Sequence, residues 1–205
     1  MVRTRHIDAG GKATEGGEIR MATSRAYGDL DGDGQPDEAL GRSYGDDRDK
    51  PGDLRVDLGK GWVTVPTDKG VRAVLIARVG DDAAPTLYFA DGWVANYGKE
   101  AKAQVKRARW HDGAFQVELV ARSPDEYGFS SLEAIDLDGD GRPELIAEGN
   151  LRVSSFSASP SLPWTSRELA KLEPVLNVAV ARDAAGAYAT LVPGRPITRA
   201  VPVPR

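Results

Sequence analysis

Cysteine is absent from the 205-residue chain, which excludes a zinc–thiolate centre, a thiol nucleophile and a disulfide framework. Histidine is scarce. His6 falls in a polar, glycine-containing stretch and His111 beside an Asp-Gly pair, and no nucleophile-elbow motif accompanies them, so serine-type nucleophilic catalysis has no base to draw on. No run approaches the roughly 18 consecutive apolar residues of a membrane-spanning helix. The chain also lacks net positive charge, standing at -4 with a pI near 5.3, where nucleic-acid binding would need a concentrated basic surface. Met1–Glu18 has arginines but no apolar stretch after them, so it is not expected to act as a signal peptide. An export signal or anchor is expected to have lain outside these residues.

What the chain has instead is acid concentrated at two points. Nine carboxylates lie within or directly beside two nearly identical loops, Asp29-Leu30-Asp31-Gly32-Asp33-Gly34-Gln35-Pro36-Asp37 and Asp136-Leu137-Asp138-Gly139-Asp140-Gly141-Arg142-Pro143-Glu144. Calcium takes six to eight oxygens, and acids at alternate loop positions can wrap them around one centre. Positions one, three, five and nine carry Asp29, Asp31, Asp33 and Asp37 in one loop and Asp136, Asp138, Asp140 and Glu144 in the other. Position seven, Gln35 or Arg142, is expected to offer its backbone carbonyl and leave its side chain free to vary. The glycines at positions four and six supply the curvature. An EF-hand would place a bidentate glutamate at position twelve on an exiting helix; here that position is Leu40 or Ala147, in segments that read as strands.

Elsewhere the pattern is short period-two runs separated by turn residues, predicting an antiparallel β-meander. Leu54–Leu58 and Trp62–Val65 flank Gly59-Lys60-Gly61. Thr86–Ala90 and Trp93–Tyr97 flank Asp91-Gly92, and Lys102–Trp110 and Ala114–Arg122 flank His111-Asp112-Gly113. Asp-Gly pairs supply the positive φ of tight hairpins. A degenerate copy of the acidic loop occurs at Arg78–Thr86, keeping the acid at position five and the proline at position eight, and a weaker strand-loop-strand follows from Val178. Loop starts at 29, 78, 136 and 182 are therefore roughly 50 residues apart, near the roughly 40–50 of a propeller blade. Thr165 with Glu168 fits a capping box ahead of Pro174, predicting one short helix near the C-terminus. Residues 1–18 read as a flexible leader, 19–192 as the β domain and 193–205 as a proline-rich extended tail.

The segments Gly28–Asp37 and Ile135–Ile146 resemble the FG-GAP, or VCBS, repeats of integrin alpha-chain propellers and exported bacterial proteins. The resemblance implies a propeller-like all-β fold of about four strand-loop-strand units, with each acidic loop joining two antiparallel strands and binding Ca2+. It implies two metal sites with the ligands named above, and a non-enzymatic interaction module, exported or at the cell surface, whose partner is an extracellular protein or glycan. Extracellular calcium modules bind with Kd of roughly 10⁻⁴–10⁻³ M, a range filled only outside cells. The alternative is a carbohydrate-active enzyme or a carbohydrate-binding accessory domain, using Asp125-Glu126 or Asp46-Asp47-Asp49 as acids, or Trp62, Trp93, Trp110 and Trp164 with Tyr88, Phe89 and Tyr97 as a stacking face. Buried packing is the commoner role for aromatic residues at strand positions.

Overall fold

The computed structural model describes residues 2–7, 13–19, 22–43, 51–93, 104–123, 129–149, 152–159, 161–171, 179–182, 188–192 and 199–202; for 2–7, 13–19, 22–23, 93, 152–153, 170–171 and everything from 179 onward it describes the backbone alone. Among these residues all regular structure is β, in seventeen antiparallel strands and no helix. Three four-stranded meanders follow one another along the chain. The first sheet is β3 (Ala22–Gly28), β4 (Asp37–Arg42), β5 (Leu54–Asp57) and β6 (Trp62–Val65); the second is β7 (Gly70–Ala77), β8 (Thr86–Trp93), β9 (Gln104–His111) and β10 (Ala114–Arg122). The third is β11 (Phe129–Ile135), β12 (Glu144–Gly149), β13 (Arg152–Phe156) and β14 (Ser166–Lys171). A three-stranded sheet of β15 (Ala179–Arg182), β16 (Tyr188–Val192) and β17 (Arg199–Pro202) ends the series, and β1 (Val2–Ile7) with β2 (Ala13–Ile19) forms a separate pair.

The four expected strand-loop-strand units are the first two strands of the four sheets: β3–β4, β7–β8, β11–β12 and β15–β16. Local turn chemistry explains the hairpins. Gly59 and Gly61 take positive φ at the β5–β6 turn, where both amides donate to Asp57 Oδ1 at 3.0 and 3.1 Å. Asp112 and Gly113 both take positive φ between β9 and β10, the conformation of a type I′ hairpin turn.

Two apolar layers hold the three four-stranded sheets together. Ala39, Leu54, Val56 and Val65 of the first sheet pack with Val71, Val74, Leu87 and Phe89 of the second. On the opposite face of the second sheet, Ala73, Tyr88, Ala90 and Val105 pack with Phe129, Leu132, Leu145 and Phe156 of the third. Successive strand side chains point to opposite faces, so Leu87-Tyr88-Phe89-Ala90 serves both layers and reads as an unbroken apolar run. Each large side chain there contributes about 1.5–3 kcal/mol by leaving water. Close approach is part of the fit. A Cβ on Gly28 would lie 2.3 Å from Ile76 Cγ2, and one on Gly41 would lie 2.8 Å from Val71 Cγ1.

Two expectations need correction. The helix expected from the Thr165 capping box is instead strand β14, registered against β13 from Phe156↔Ser166 to Arg152↔Lys171 with Leu169 at a register shift. A two-turn helix is marginal in water, whereas the strand gains ladder hydrogen bonds and buries Leu169. Asp91-Gly92 is not a turn but part of β8, where Gly92 spends its positive φ on a bulge between Val71↔Asp91 and Gly70↔Trp93. Residues 1–18, expected as a leader, carry most of the β1–β2 pair, whose register sets Arg3 against Glu18 and Arg5 against Glu15. The proline-rich segment contributes β17, paired with β16 from Val192↔Arg199 to Ala189↔Pro202; Pro202 is tolerated because β17 is an edge strand.

An ion-pair cluster closes the β4–β5 connection of the first sheet. Asp53 accepts from Arg42 through Nε and, at 2.9 Å, Nη2, and from Arg55 Nε at 2.9 Å, while Arg42 N donates to Asp53 O at 2.9 Å. Burial alone would raise the Asp53 pKa, but the two guanidinium groups outweigh it and hold it below the usual value. A carboxylate with a depressed folded pKa adds stability that is present above its unfolded value of about 3.9 and lost as pH falls through the folded one. Wild type is therefore expected to lose urea resistance below about pH 4, and Asp53→Asn to be weaker at neutral pH with a shallower acid slope. Parallel acid profiles of the two proteins would rule this cluster out as a contributor.

Candidate metal-binding loops

The first acidic loop joins β3 to β4 and the second joins β11 to β12, so each spans one antiparallel strand pair whose last register is Gly28↔Asp37 or Ile135↔Glu144. Both fold by the same internal bonds. The position-one carboxylate accepts the amides of positions four and six: Gly32 N to Asp29 Oδ1 at 2.7 Å and Gly34 N to Asp29 Oδ2 at 3.0 Å, matched by Gly139 N and Gly141 N on Asp136 at 2.7 and 2.9 Å. Position three accepts from position five, at 3.2 Å for Asp31 and 3.1 Å for Asp138. Position five accepts from position seven, Gln35 N to Asp33 and Arg142 N to Asp140, both at 2.8 Å. Position nine accepts the amide of position two, Leu30 N to Asp37 at 2.6 Å and Leu137 N to Glu144 at 2.9 Å. Gly32, Gly34, Gly139 and Gly141 all sit at φ between 80° and 87° with open space around a notional Cβ, so an alanine there would be opposed by backbone conformation and not by crowding.

This folding converges the acids. One carboxylate oxygen each from Asp29, Asp31 and Asp37 lies within 4.8 Å of the others, and the same is true of Asp136, Asp138 and Asp140. Asp33 and Glu144 stand outside these triplets, although their oxygens are tied into the same loops. Asp37 is buried, and burial together with the charges of Asp31 and Asp33 raises its pKa against the opposing amides of Leu30 and Asp31. Oxygens bound to one calcium at about 2.3–2.6 Å lie no further apart than about 5 Å, and a hard, all-oxygen donor set suits that ion. Both loops can therefore hold a cation. Glu38, next to the first loop, is turned away to Arg25 Nε at 2.9 Å and Tyr27 Oη at 3.3 Å.

The degenerate loop between β7 and β8 solves the same folding problem with a different counter-charge. Its position-five acid, Asp82, accepts from Tyr88 Oη at 2.6 Å, Arg109 Nη2 at 2.7 Å and the Val79 amide at 3.4 Å. The Val79 amide is the position-two donor that a position-nine acid satisfies in the strong loops, and here position nine is Thr86. Arg109, from the neighbouring strand, supplies positive charge from within the chain. The loop pattern singles out Asp82 in the sequence, but nothing local points to Arg109. The Arg142 side chain, expected only to be free to vary, has a partner: its Nε lies 3.2 Å from Asp81 Oδ1.

The remaining candidates read from the sequence separate on the structure. Tyr88, Phe89 and Trp164 are core residues, with Trp164 packed 6.2 Å from Tyr88 and donating from Nε1 to Ser159 O at 3.0 Å. Trp110 packs edge-on to Phe115 at 4.9 Å, and Trp62 is partly exposed. The Trp93 side chain and Tyr97 lie outside the described residues, as do Asp46, Asp47, Asp49, Asp125, Glu126 and the fourth loop between β15 and β16. His111 is exposed, 3.1 Å from Asp112; of His6 only the backbone, in β1, is described.

No protein-family profile matches the sequence, and no curated protein matches it. Among solved structures, a protein from Lactobacillus plantarum determined as a structural-genomics target is similar over 99% of this chain at 11% identity and a TM-score of 0.49. The match spans 62% of that protein, so this chain is well short of its length.

Proposed function

We propose that this chain is a calcium-binding, non-enzymatic interaction module of the FG-GAP or VCBS type, exported or displayed at the cell surface, whose successive sheets act as propeller-like blades and whose partner is an extracellular protein or glycan. The observation that carries the reading is the repetition: two loops far apart in sequence adopt one hydrogen-bonding pattern and bring three carboxylate oxygens each within 4.8 Å. Asp29, Asp31, Asp33 and Asp37, with the Gln35 carbonyl, would hold one Ca2+; Asp136, Asp138, Asp140 and Glu144, with the Arg142 carbonyl, would hold the other. The ion supplies positive charge where the chain concentrates negative charge, and in doing so fixes a strand pair. Its role is a structural clip. The outside location follows from the affinity range of such modules, roughly 10⁻⁴–10⁻³ M.

Titration calorimetry tests this directly. Wild type is expected to bind two calcium ions, and Asp31→Ala and Asp138→Ala one each, with magnesium a poor substitute because it demands a tighter octahedron and dehydrates reluctantly. Absence of calcium heat at millimolar concentration would overturn the reading.

A further inference from the structure

We propose that the second acidic loop is an inter-sheet clamp, in which the cation held by Asp136–Glu144 rigidifies the contact through which the degenerate loop of the second sheet docks on the third. The inference rests on the calcium reading above and deepens it, by assigning the second ion a role the first does not share.

The contact is built from four observations. Gly80 N donates to Pro143 O at 2.8 Å, a backbone bond that crosses from the second sheet to the third. Gly80 has φ +58° and is seated so tightly that a Cβ would stand 2.2 Å from Ala158 Cβ. Val79, its neighbour, is buried in the apolar layer between the two sheets. Asp81 then meets Arg142 with both oxygens, at 3.2 Å from Nε and 3.4 Å from Nη1. The ion pair is weak on its own, since Arg142 is 61% and Asp81 78% exposed and exposed pairs are largely screened. The backbone bond carries the geometry.

What links this contact to the ion is position. Arg142 and Pro143 occupy positions seven and eight of the loop. The Arg142 amide is already tied to Asp140 at 2.8 Å, and its carbonyl is the expected seventh-position ligand. An ion bound there holds the Arg142–Pro143 peptide on one side while Pro143 O accepts Gly80 N on the other. Without the ion the clustered carboxylates of Asp136, Asp138 and Asp140 repel one another, and no cation holds the Arg142 carbonyl from the loop side. The first loop has no equivalent. Gln35 and Pro36 at the same positions are exposed and, among the described residues, make no hydrogen bond to another sheet.

Amide hydrogen exchange at Gly80, read by NMR on the whole chain, tests the clamp, because protection of that amide reports the free energy of opening the contact. Gly80 is expected to exchange at least about tenfold more slowly in millimolar calcium than with chelator. Asp31→Ala should keep that difference and Asp138→Ala should abolish it. If Asp138→Ala does not fold, persistence of the difference in Asp31→Ala still assigns it to the second loop, and its loss there overturns the clamp. Equal Gly80 exchange with and without calcium, in a protein whose second site still gives binding heat, overturns the clamp and leaves the calcium reading standing. No heat from the second site overturns both.

Discussion

Removal of calcium by a chelator is expected to lower the midpoint of thermal unfolding by roughly 10–20 °C at a calcium concentration a hundredfold above Kd. An ion that binds only the folded state adds about 2.7 kcal/mol at that excess, so two independent sites add about 5 kcal/mol, and a chain of this length moves by about 2–4 °C per kcal/mol. Asp31→Ala and Asp138→Ala should each lose about half of the calcium-dependent shift. Each removes one carboxylate from a triplet whose members lie within 4.8 Å, so the mutant without calcium should be as stable as the metal-free wild type or slightly more so. That pair of results separates ligands from structural acids: an acid needed only for folding would weaken the protein with and without the ion. Differential scanning calorimetry with and without chelator is sufficient, and a midpoint indifferent to chelator would count against both sites.

Lys106→Ala is expected to cost about 3–5 kcal/mol, the usual penalty for leaving one member of a buried ion pair behind. Lys106 Nζ lies 2.8 Å from Oδ2 of the fully buried Asp91 and 2.7 Å from Asp68. Asp91 also accepts the amides of Asp68 and Lys69 at 2.8 and 2.9 Å, so this cluster fastens the crossover between β6 and β7 to the middle of the second sheet. Pairing Lys106→Met with Asp91→Asn removes both charges and keeps an acceptor for one of the two amides, and should recover part of the loss. Burial lowers the Lys106 pKa, but the two carboxylates outweigh it and raise the pKa overall. A base with a raised folded pKa contributes stability that is complete below its unfolded value of about 10.4 and is lost as pH rises through the folded one. Urea midpoints of wild type should therefore fall in strong alkali, and those of the double variant should fall less. Equal midpoints for wild type and Lys106→Ala at neutral pH would remove the cluster from the stability account.

The legible parts of this molecule were those whose cause is local. Alternation in Leu54–Asp57 places Leu54 and Val56 inside because a strand has two faces, and the acidic loops announce their own conformation through glycines that must take positive φ. The degenerate loop at Arg78–Thr86 was legible too, through a shared position-five acid and position-eight proline. Misreadings arose where local signals have two outcomes. Asp-Gly serves a hairpin at Asp112-Gly113 and a bulge at Asp91-Gly92, and only the partner strand decides between them. The Thr165–Glu168 capping pattern is real chemistry, but β13 offers the same backbone groups a full ladder. Arg109 and Asp81 escaped notice for a related reason: each meets its partner across chain distances that no motif spans, 27 residues to Asp82 and 61 to Arg142.

The strand β8 carries a liability along with its packing role. Leu87-Tyr88-Phe89-Ala90 is uncharged, rich in β-forming residues and apolar on both faces, which is the composition of segments that assemble into cross-β stacks when uncovered. In the intact molecule the first and third sheets each shield one face. Pro85 before the run and Asp91 after it act as gatekeepers, a strand breaker on one side and a charge on the other. Asp91 is neutralised by Lys106 once folded, so its charge is fully available to discourage association only while the chain is open. A shortened form lacking either flanking sheet would uncover one apolar face of this run while β7 and β9 still cover its edges, and its solubility would fall before its secondary structure did.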